Sequence, residues 1–234
     1  MRKAIIIAVA LLACSACSFI TVNGKSQVEF LGTSGKNTIT ASSTIIDKEF
    51  QVEDFNRISS SGAFDFVYST GDPYVSISAP DNIMEYLDVR IKDGKLYIET
   101  DRSIRIKKLN KIIVTVHSPI LNGLEISGAG DFHATTGLTA EDFKAGISGA
   151  GNLKINGLKA GDVSIKVSGA GDVDVTGLEC NGIDVSISGA GNVTLAGKAE
   201  SADLGISGAG NINVKDLDCE NVSSRISGAG HVSR

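Results

Sequence analysis

The second half of the chain repeats one hydrophobic pattern. Apolar residues precede a serine at Ile126, Ile147, Val167, Ile187, Ile206 and Ile226, and each serine opens the tetrapeptide Ser-Gly-Ala-Gly. The copies begin at Ser127, Ser148, Ser168, Ser188, Ser207 and Ser227, at intervals of 21, 20, 20, 19 and 20 residues. A second column, two positions earlier, reads Leu124, Ala145, Ile165, Val185, Leu204 and Ser224. After the motif come Phe132, Leu153, Val173, Val193, Ile212 and Val232, and two residues later Ala134, Ile155, Val175, Leu195 and Val214. The residues between these two columns are mostly polar: His133, Lys154, Asp174, Thr194 and Asn213. Alternation with period two marks strands with one buried face. A period near twenty marks repeats that stack and bury one another's apolar rows. Consecutive repeats run the same way, so their strands pair in parallel at ~4.8 Å, and such crossovers are right-handed in ~98% of cases. The pattern predicts an all-β chain: a right-handed parallel β-helix, or β-solenoid, with a strand-rich, less regular N-terminal portion. Propellers and leucine-rich repeats have other periods and frameworks.

Residues 47–120 have the composition of strands without the strict period. Phe64–Tyr68 and Tyr74–Ser78 alternate around the turn residues Gly71, Asp72 and Pro73. Asp81 is placed to cap one helical turn reaching Tyr86. Val89–Ile91, Asp93-Gly94 and Leu96–Glu99 spell a hairpin, because Asp-Gly supplies the positive φ angles of a type I′ turn. Ile112–His117 is another strand. Ser61-Gly62-Ala63-Phe64-Asp65 is a degenerate seventh copy of the repeat motif.

The first residues read as an export signal. Arg2 and Lys3 precede an apolar run over Ala4–Leu12, too short for the ~20 residues that span a bilayer. Leu11-Leu12-Ala13-Cys14 resembles a lipobox, which makes Cys14 the expected lipid attachment site, with Cys17 the alternative. By resemblance to lipoprotein sorting rules, a serine after the cysteine directs the chain to the outer membrane. The expected organisation is a lipoprotein signal peptide and lipobox over 1–17, a flexible tether over 18–46, the irregular strand-rich segment over 47–120, and about six repeats over 121–234.

Charge and composition remove several classes of function. A net charge of −5 and a pI near 5.2 argue against nucleic acid, which needs a basic surface. Gly-Ala-Gly would suggest a phosphate loop only if it opened a helix and brought a lysine, and here it lies between strands. The expectation is a tight corner where glycine supplies φ angles closed to other residues, with alanine as the only side chain small enough to stack on its copies. The next position reads Asp131, Asn152, Asp172, Asn192, Asn211 and His231. Calcium-binding solenoids carry related turns, so this row is a weak calcium candidate. The preferred reading is structural. Stacked carboxylates ~4.8 Å apart would repel by ~3.5 kcal/mol at an effective dielectric near 20, and an interposed asparagine relieves this and donates hydrogen bonds. His117, His133 and His231 are too scattered for a metal centre. Cys180 and Cys219 are in phase but two repeats apart, ~9.6 Å, too far for a disulfide. No catalytic residue, metal site or cofactor is expected.

The run Phe55-Asn56-Arg57-Ile58 leading into Ser61–Asp65, the Asp93-Gly94-Lys95-Leu96 hairpin and the serial Ser-Gly-Ala-Gly-Asp/Asn turns together resemble one family, described as putative auto-transporter adhesin, head GIN domain. The resemblance runs from about Phe50 to the C-terminus and implies a β-helical fold outside the cytoplasm. It carries no catalytic residues. The expected function is a non-catalytic envelope lipoprotein: an adhesin or scaffold that binds a glycan or an envelope protein, attached to the membrane by its lipid. The alternative is a polysaccharide lyase or hydrolase on a pectin-lyase-like β-helix, against which stand the absence of tryptophan and the short, mixed outward rows. Tyr68, Tyr74, Tyr86 and Tyr97 are the aromatic candidates for a glycan surface. The open C-terminal repeat predicts self-association through that end, or a bound partner there.

Overall fold

The computed structural model describes the backbone of Ile20–Val22 and Lys25–Gln27, and residues 37–234 with side chains. The first two segments pair as antiparallel strands. Residues 38–234 form one compact unit, and its core is built from one large mixed sheet of 18 strands.

Its larger part is made of parallel ladders that join equivalent positions of successive repeats. Phe132 pairs with Leu153, Leu153 with Val173, Val173 with Val193, Val193 with Ile212 and Ile212 with Val232. The second ladder runs Leu124, Ala145, Ile165, Val185, Leu204, Ser224. Through the fifth repeat the columns expected to face inward are the buried ones, and Ile155, Val167, Val175, Val193 and Leu204 have no exposed surface; in the last repeat Ser224 and Ile226 are exposed. Lys154 and His133, between them, are exposed.

The corner between the ladders corrects the expectation about glycine. Gly62 and Gly128 have the expected positive φ, at 156° and 158°, but Gly149, Gly169, Gly189, Gly208 and Gly228 do not. Their constraint is proximity. A Cβ on Gly169 would overlap the carbonyl oxygen of Gly149, and one on Gly189 that of Gly169. The same carbonyls accept the next repeat's alanine N–H: Ala170 N donates to Gly149 O at 2.9 Å and Ala190 N to Gly169 O at 2.9 Å. Backbone meets backbone there, and no side chain fits between. The alanines are exposed, so packing does not restrict them to small size.

The irregular segment joins the same ladders. Ser59, Ser60, Ser61 and Gly62 pair in parallel with Glu125, Ile126, Ser127 and Gly128, and Phe66 pairs with Phe132. Here the core is aromatic: Phe66 and Tyr68 lie 6.1 and 5.8 Å from Phe132 between ring centroids. Strands Tyr74–Pro80 and Ile45–Phe50 extend this sheet antiparallel. The hairpin forms as expected, with φ of 53° at Asp93 and 68° at Gly94. Asp81 does not cap a helix. Its carboxylate accepts from Asn82 N at 2.7 Å, and the 3-10 turn Met84–Tyr86 has no side-chain cap. Before the sheet, Asn37–Thr40 pairs with Ile104–Lys107 as a separate two-stranded ribbon.

Candidate binding surface

The Asp/Asn row is a continuous hydrogen-bonded ladder at the corner that follows each Ser-Gly-Ala-Gly. Asp65 begins it, accepting from Asp131 N at 3.2 Å. Asp131 Oδ1 accepts from the backbone and side-chain nitrogens of Asn152 at 3.1 and 2.8 Å. Asn152 Oδ1 accepts from Asp172 N at 2.9 Å, and Asp172 Oδ1 accepts twice from Asn192, both at 2.9 Å. Asn211 Nδ2 continues to Asn192 Oδ1 at 2.9 Å. Each linking oxygen is therefore engaged by the next repeat. Among the described residues no group of three or more His, Cys, Asp or Glu side chains is arranged to hold a metal ion.

Other outward rows are also self-satisfied. Asp142 Oδ1 accepts from Asp162 N at 3.0 Å, and Asp162 Oδ1 from Gly182 N at 3.1 Å. Lys159, Glu179, Lys198 and Asp218 stack in register with alternating sign, and Lys159 bridges to Glu179 at 2.9 Å. An open polar trough of about 970 Å³ is lined by Glu179, Lys198 and Asp218 of this row.

Cys180 and Cys219 are both free and half-buried, and Cys180 pairs in the ladder with Ala199 of the next repeat. Burial first, then the Asp162 carboxylate and Cys219, pushes the Cys180 thiol up to about 11. A thiol held protonated is a poor nucleophile and a poor metal ligand. The tyrosines divide. Tyr68 is core, its hydroxyl donating to Ser118 O at 2.8 Å. Tyr74 packs on His117 at 5.2 Å, Tyr97 lies under Arg90 and Lys95, and Tyr86 is half-buried. They do not form one surface. Cys14 and Cys17 lie outside the described residues.

One groove escapes the sequence pattern. Stacking brings Gly94, Asn56 and Asn122 into a column: Asn56 N donates to Gly94 O at 3.0 Å, and Asn122 N to Asn56 O at 2.7 Å. Around it lie the exposed carboxylates of Asp54 and Glu141 and the apolar Pro119 and Ile120, enclosing about 390 Å³. The Asn122 Oδ1 is shielded from solvent without a hydrogen-bond partner, the one such side-chain atom among the described residues. A desolvated acceptor left unpaired costs about 1–3 kcal/mol. No periodicity flags this site, because its residues come from four separate segments.

The fold is similar to the crystal structure of a putative adhesin from Bacteroides fragilis NCTC 9343, with 26% identity, a TM-score of 0.71, and coverage of 83% of this chain and 99% of that one. It is similar to a putative adhesin from Parabacteroides distasonis ATCC 8503, at 24% identity and TM-score 0.77, covering 84% of each chain. A putative lipid binding protein from the same organism shares the fold at 18% identity and TM-score 0.61, covering 84% of this chain and 99% of that one. No curated protein matches the chain. The profile of the family described as putative auto-transporter adhesin, head GIN domain, matches residues 54–233. That is more than three quarters of the sequence, and the chain belongs to this family.

Proposed function

We propose that this protein is a non-catalytic adhesin of the cell envelope, lipid-anchored in the outer membrane through Cys14, or failing that Cys17. In this reading the repeats form a right-handed parallel β-solenoid that serves as a rigid mount, and the groove around Asn122 takes a glycan. The 20-residue parallel ladders support the solenoid reading, since right-handed crossovers are the rule. Family membership and the adhesin likeness at 26% identity support an envelope role.

The observation that carries the glycan reading is the contrast between the repeat rows and the groove. The corner ladders use their linking oxygens within the chain, whereas the groove leaves the Asn122 amide oxygen unpaired. Sugar hydroxyls present donors and acceptors above an apolar ring face. Asn56, Asn122, Asp54 and Glu141 beside Pro119 and Ile120 match that chemistry. Rotation of the amide about χ2 would offer Asn122 to such a ligand.

Asp54 and Glu141 on one groove are also what a polysaccharide hydrolase would need. Both carboxylates are exposed, however, and no basic residue lines the groove beside them. The two readings separate in one experiment. A glycan array is probed with a chain beginning at Lys25, and the retained glycans are then incubated with it. Binding that falls on Asn122→Ala and Glu141→Ala, with the glycans returned intact, supports the adhesin. New reducing ends or unsaturated sugars would establish the enzyme. Retention unchanged by both substitutions would remove the groove from the mechanism.

A further inference from the structure

The most concentrated charge on the molecule lies away from this groove, in the segment from Asp101 to Lys111. It holds Arg102, Arg105, Lys107, Lys108 and Lys111 against the single acid Asp101, a net of +4. The whole chain carries −5, so the remainder carries −9. All five cations are exposed. Of these five, Lys111 alone has an ion-pair partner among the described residues, Asp65 at 2.7 Å. Ion pairs elsewhere are isolated: Arg90 meets Asp88 and Glu99, Lys95 meets Glu125, Lys159 meets Glu179 and Arg225 meets Asp203, and no other stretch gathers five exposed cations within ten residues.

Local structure accounts for the outward display. In the strand Ile104–Lys107, Ile104 is buried and Ile106 packs against the core, so Arg105 and Lys107 face solvent. Strict alternation would turn the next residue inward. Lys108 instead adopts a φ of 53°, which ends the strand and leaves two consecutive lysines exposed before Leu109 returns to the core. A left-handed backbone is unfavourable at a lysine, and glycine or asparagine would relieve it. The strain is retained with a cation at its apex.

The strand's partner is Asn37–Thr40, and Ala41 N donates to Lys107 O at 2.9 Å. This is where the chain from the N-terminal cysteines enters the compact unit, with 24 positions separating Cys14 from Thr38. From this juxtaposition we infer that Arg102, Arg105, Lys107, Lys108 and Lys111 form a docking surface for an anionic lipid membrane. Clustered cations beside a membrane attachment point are attracted to anionic headgroups, and a single acyl chain needs a second contact of this kind to hold firmly. The inference rests on the lipid-anchor reading only for the choice of a membrane as the neighbouring polyanion.

The test uses an unlipidated chain beginning at Lys25, which keeps the whole compact unit and its core. Co-sedimentation is measured with vesicles of phosphatidylcholine alone and with vesicles also containing phosphatidylglycerol. The expected result is binding to the anionic vesicles only, weakened by salt. The combination Arg105→Gln, Lys107→Gln and Lys108→Asn should lower that affinity by about 100-fold. A control removes three exposed cations elsewhere, by Lys154→Gln, Lys198→Gln and Lys215→Gln, and should leave binding nearly unchanged. Equal binding to both vesicle types, or equal losses in the two triple variants, would overturn the docking surface. So would binding to soluble polygalacturonate with none to vesicles, which would make the patch a glycan contact. Because this chain lacks Cys14 and Cys17, its failure to bind leaves the lipid anchor standing, and loss of the anchor in cells leaves this measurement unaffected.

Discussion

Asp131 Oδ1 accepts two hydrogen bonds from Asn152, one from its backbone nitrogen and one from its side-chain nitrogen, and Asn192 repeats the arrangement on Asp172. Asparagine is the residue that can close the link in both directions, donating to the carboxylate before it and accepting, at Asn152 Oδ1, from Asp172 N after it. Asn152→Asp keeps the acceptor, removes the side-chain donor and sets a third carboxylate between Asp131 and Asp172. With solvent screening the expected loss at pH 7 is about 1–2 kcal/mol. The penalty is repulsion between ionised carboxylates, so it is greatest above the carboxylate range. It recedes as pH falls and the row protonates. Thermal unfolding at pH 7 and pH 4 checks this, and an equal deficit at both would mean that geometry rather than charge sets the alternation.

The inward and outward columns make a sharper contrast. Ile187 is 1% exposed and pairs with Val167 and Ile206 in a buried ladder. Ile187→Asp buries a carboxylate with no partner and should cost at least ~3 kcal/mol, whereas Thr194→Asp on the outward row should cost under ~1 kcal/mol. Chemical denaturation of the two variants measures the difference. Equal losses would contradict the assignment of faces.

This division of faces was legible from the sequence because a period of two inside a period of twenty leaves one side for each residue. Ile187 and Thr194 could be assigned by counting. For the corner glycines a positive φ explains only Gly62 and Gly128. Gly169 is required by the carbonyl of Gly149, twenty residues earlier, and no local φ rule reports a contact between repeats. The groove at Asn122 was not legible, since Gly94, Asn56 and Glu141 meet there only after stacking. The basic run from Arg102 to Lys111 stood in plain view, but an acidic total charge masked it, and its display depends on the unusual backbone at Lys108.

The cysteines of the repeats give a pH-dependent prediction. The Cys180 thiol is raised mainly by burial, to about 11, so the folded protein holds that proton more tightly than the unfolded chain. Its contribution to stability is therefore complete below the ordinary thiol range and is lost as pH rises through about 11. Iodoacetamide at pH 8 should modify Cys180 slowly in the native protein and rapidly in urea. Mass spectrometry after timed quenching reads the site, and native labelling as fast as in urea would contradict the burial assignment.

Lipid attachment is testable in cells. A clickable palmitate analogue should label the wild-type chain, and Cys14→Ser should abolish the signal. If only Cys17→Ser abolishes it, the second cysteine is the modified residue. A wild type that takes up no label would end the anchor proposal.

The last prediction separates two glycines that any composition-based argument treats alike. Gly169 lies at a corner where a Cβ would overlap the backbone carbonyl of Gly149, the same oxygen that accepts from Ala170 N. Gly205 lies within a strand on the outward row, where a Cβ would meet only Val185 O, at 3.6 Å. Neither has a positive φ, so alanine is conformationally permitted at both. Gly205→Ala should therefore stabilise by about 0.5–1 kcal/mol, through a smaller loss of chain entropy on folding. Gly169→Ala cannot be accommodated by a rotamer change, because the opposing atom is backbone. It must push the two repeats apart and lengthen the bonds on both sides of the corner, at a cost of ~3 kcal/mol or more. Because the repeats are coupled through nearest neighbours, hydrogen exchange should show faster opening centred on Ala150 N, Ala170 N and Ala190 N. Losses confined to the variant's own repeat, or a Gly205→Ala penalty as large as that of Gly169→Ala, would mean that backbone proximity is not what fixes glycine at the corner.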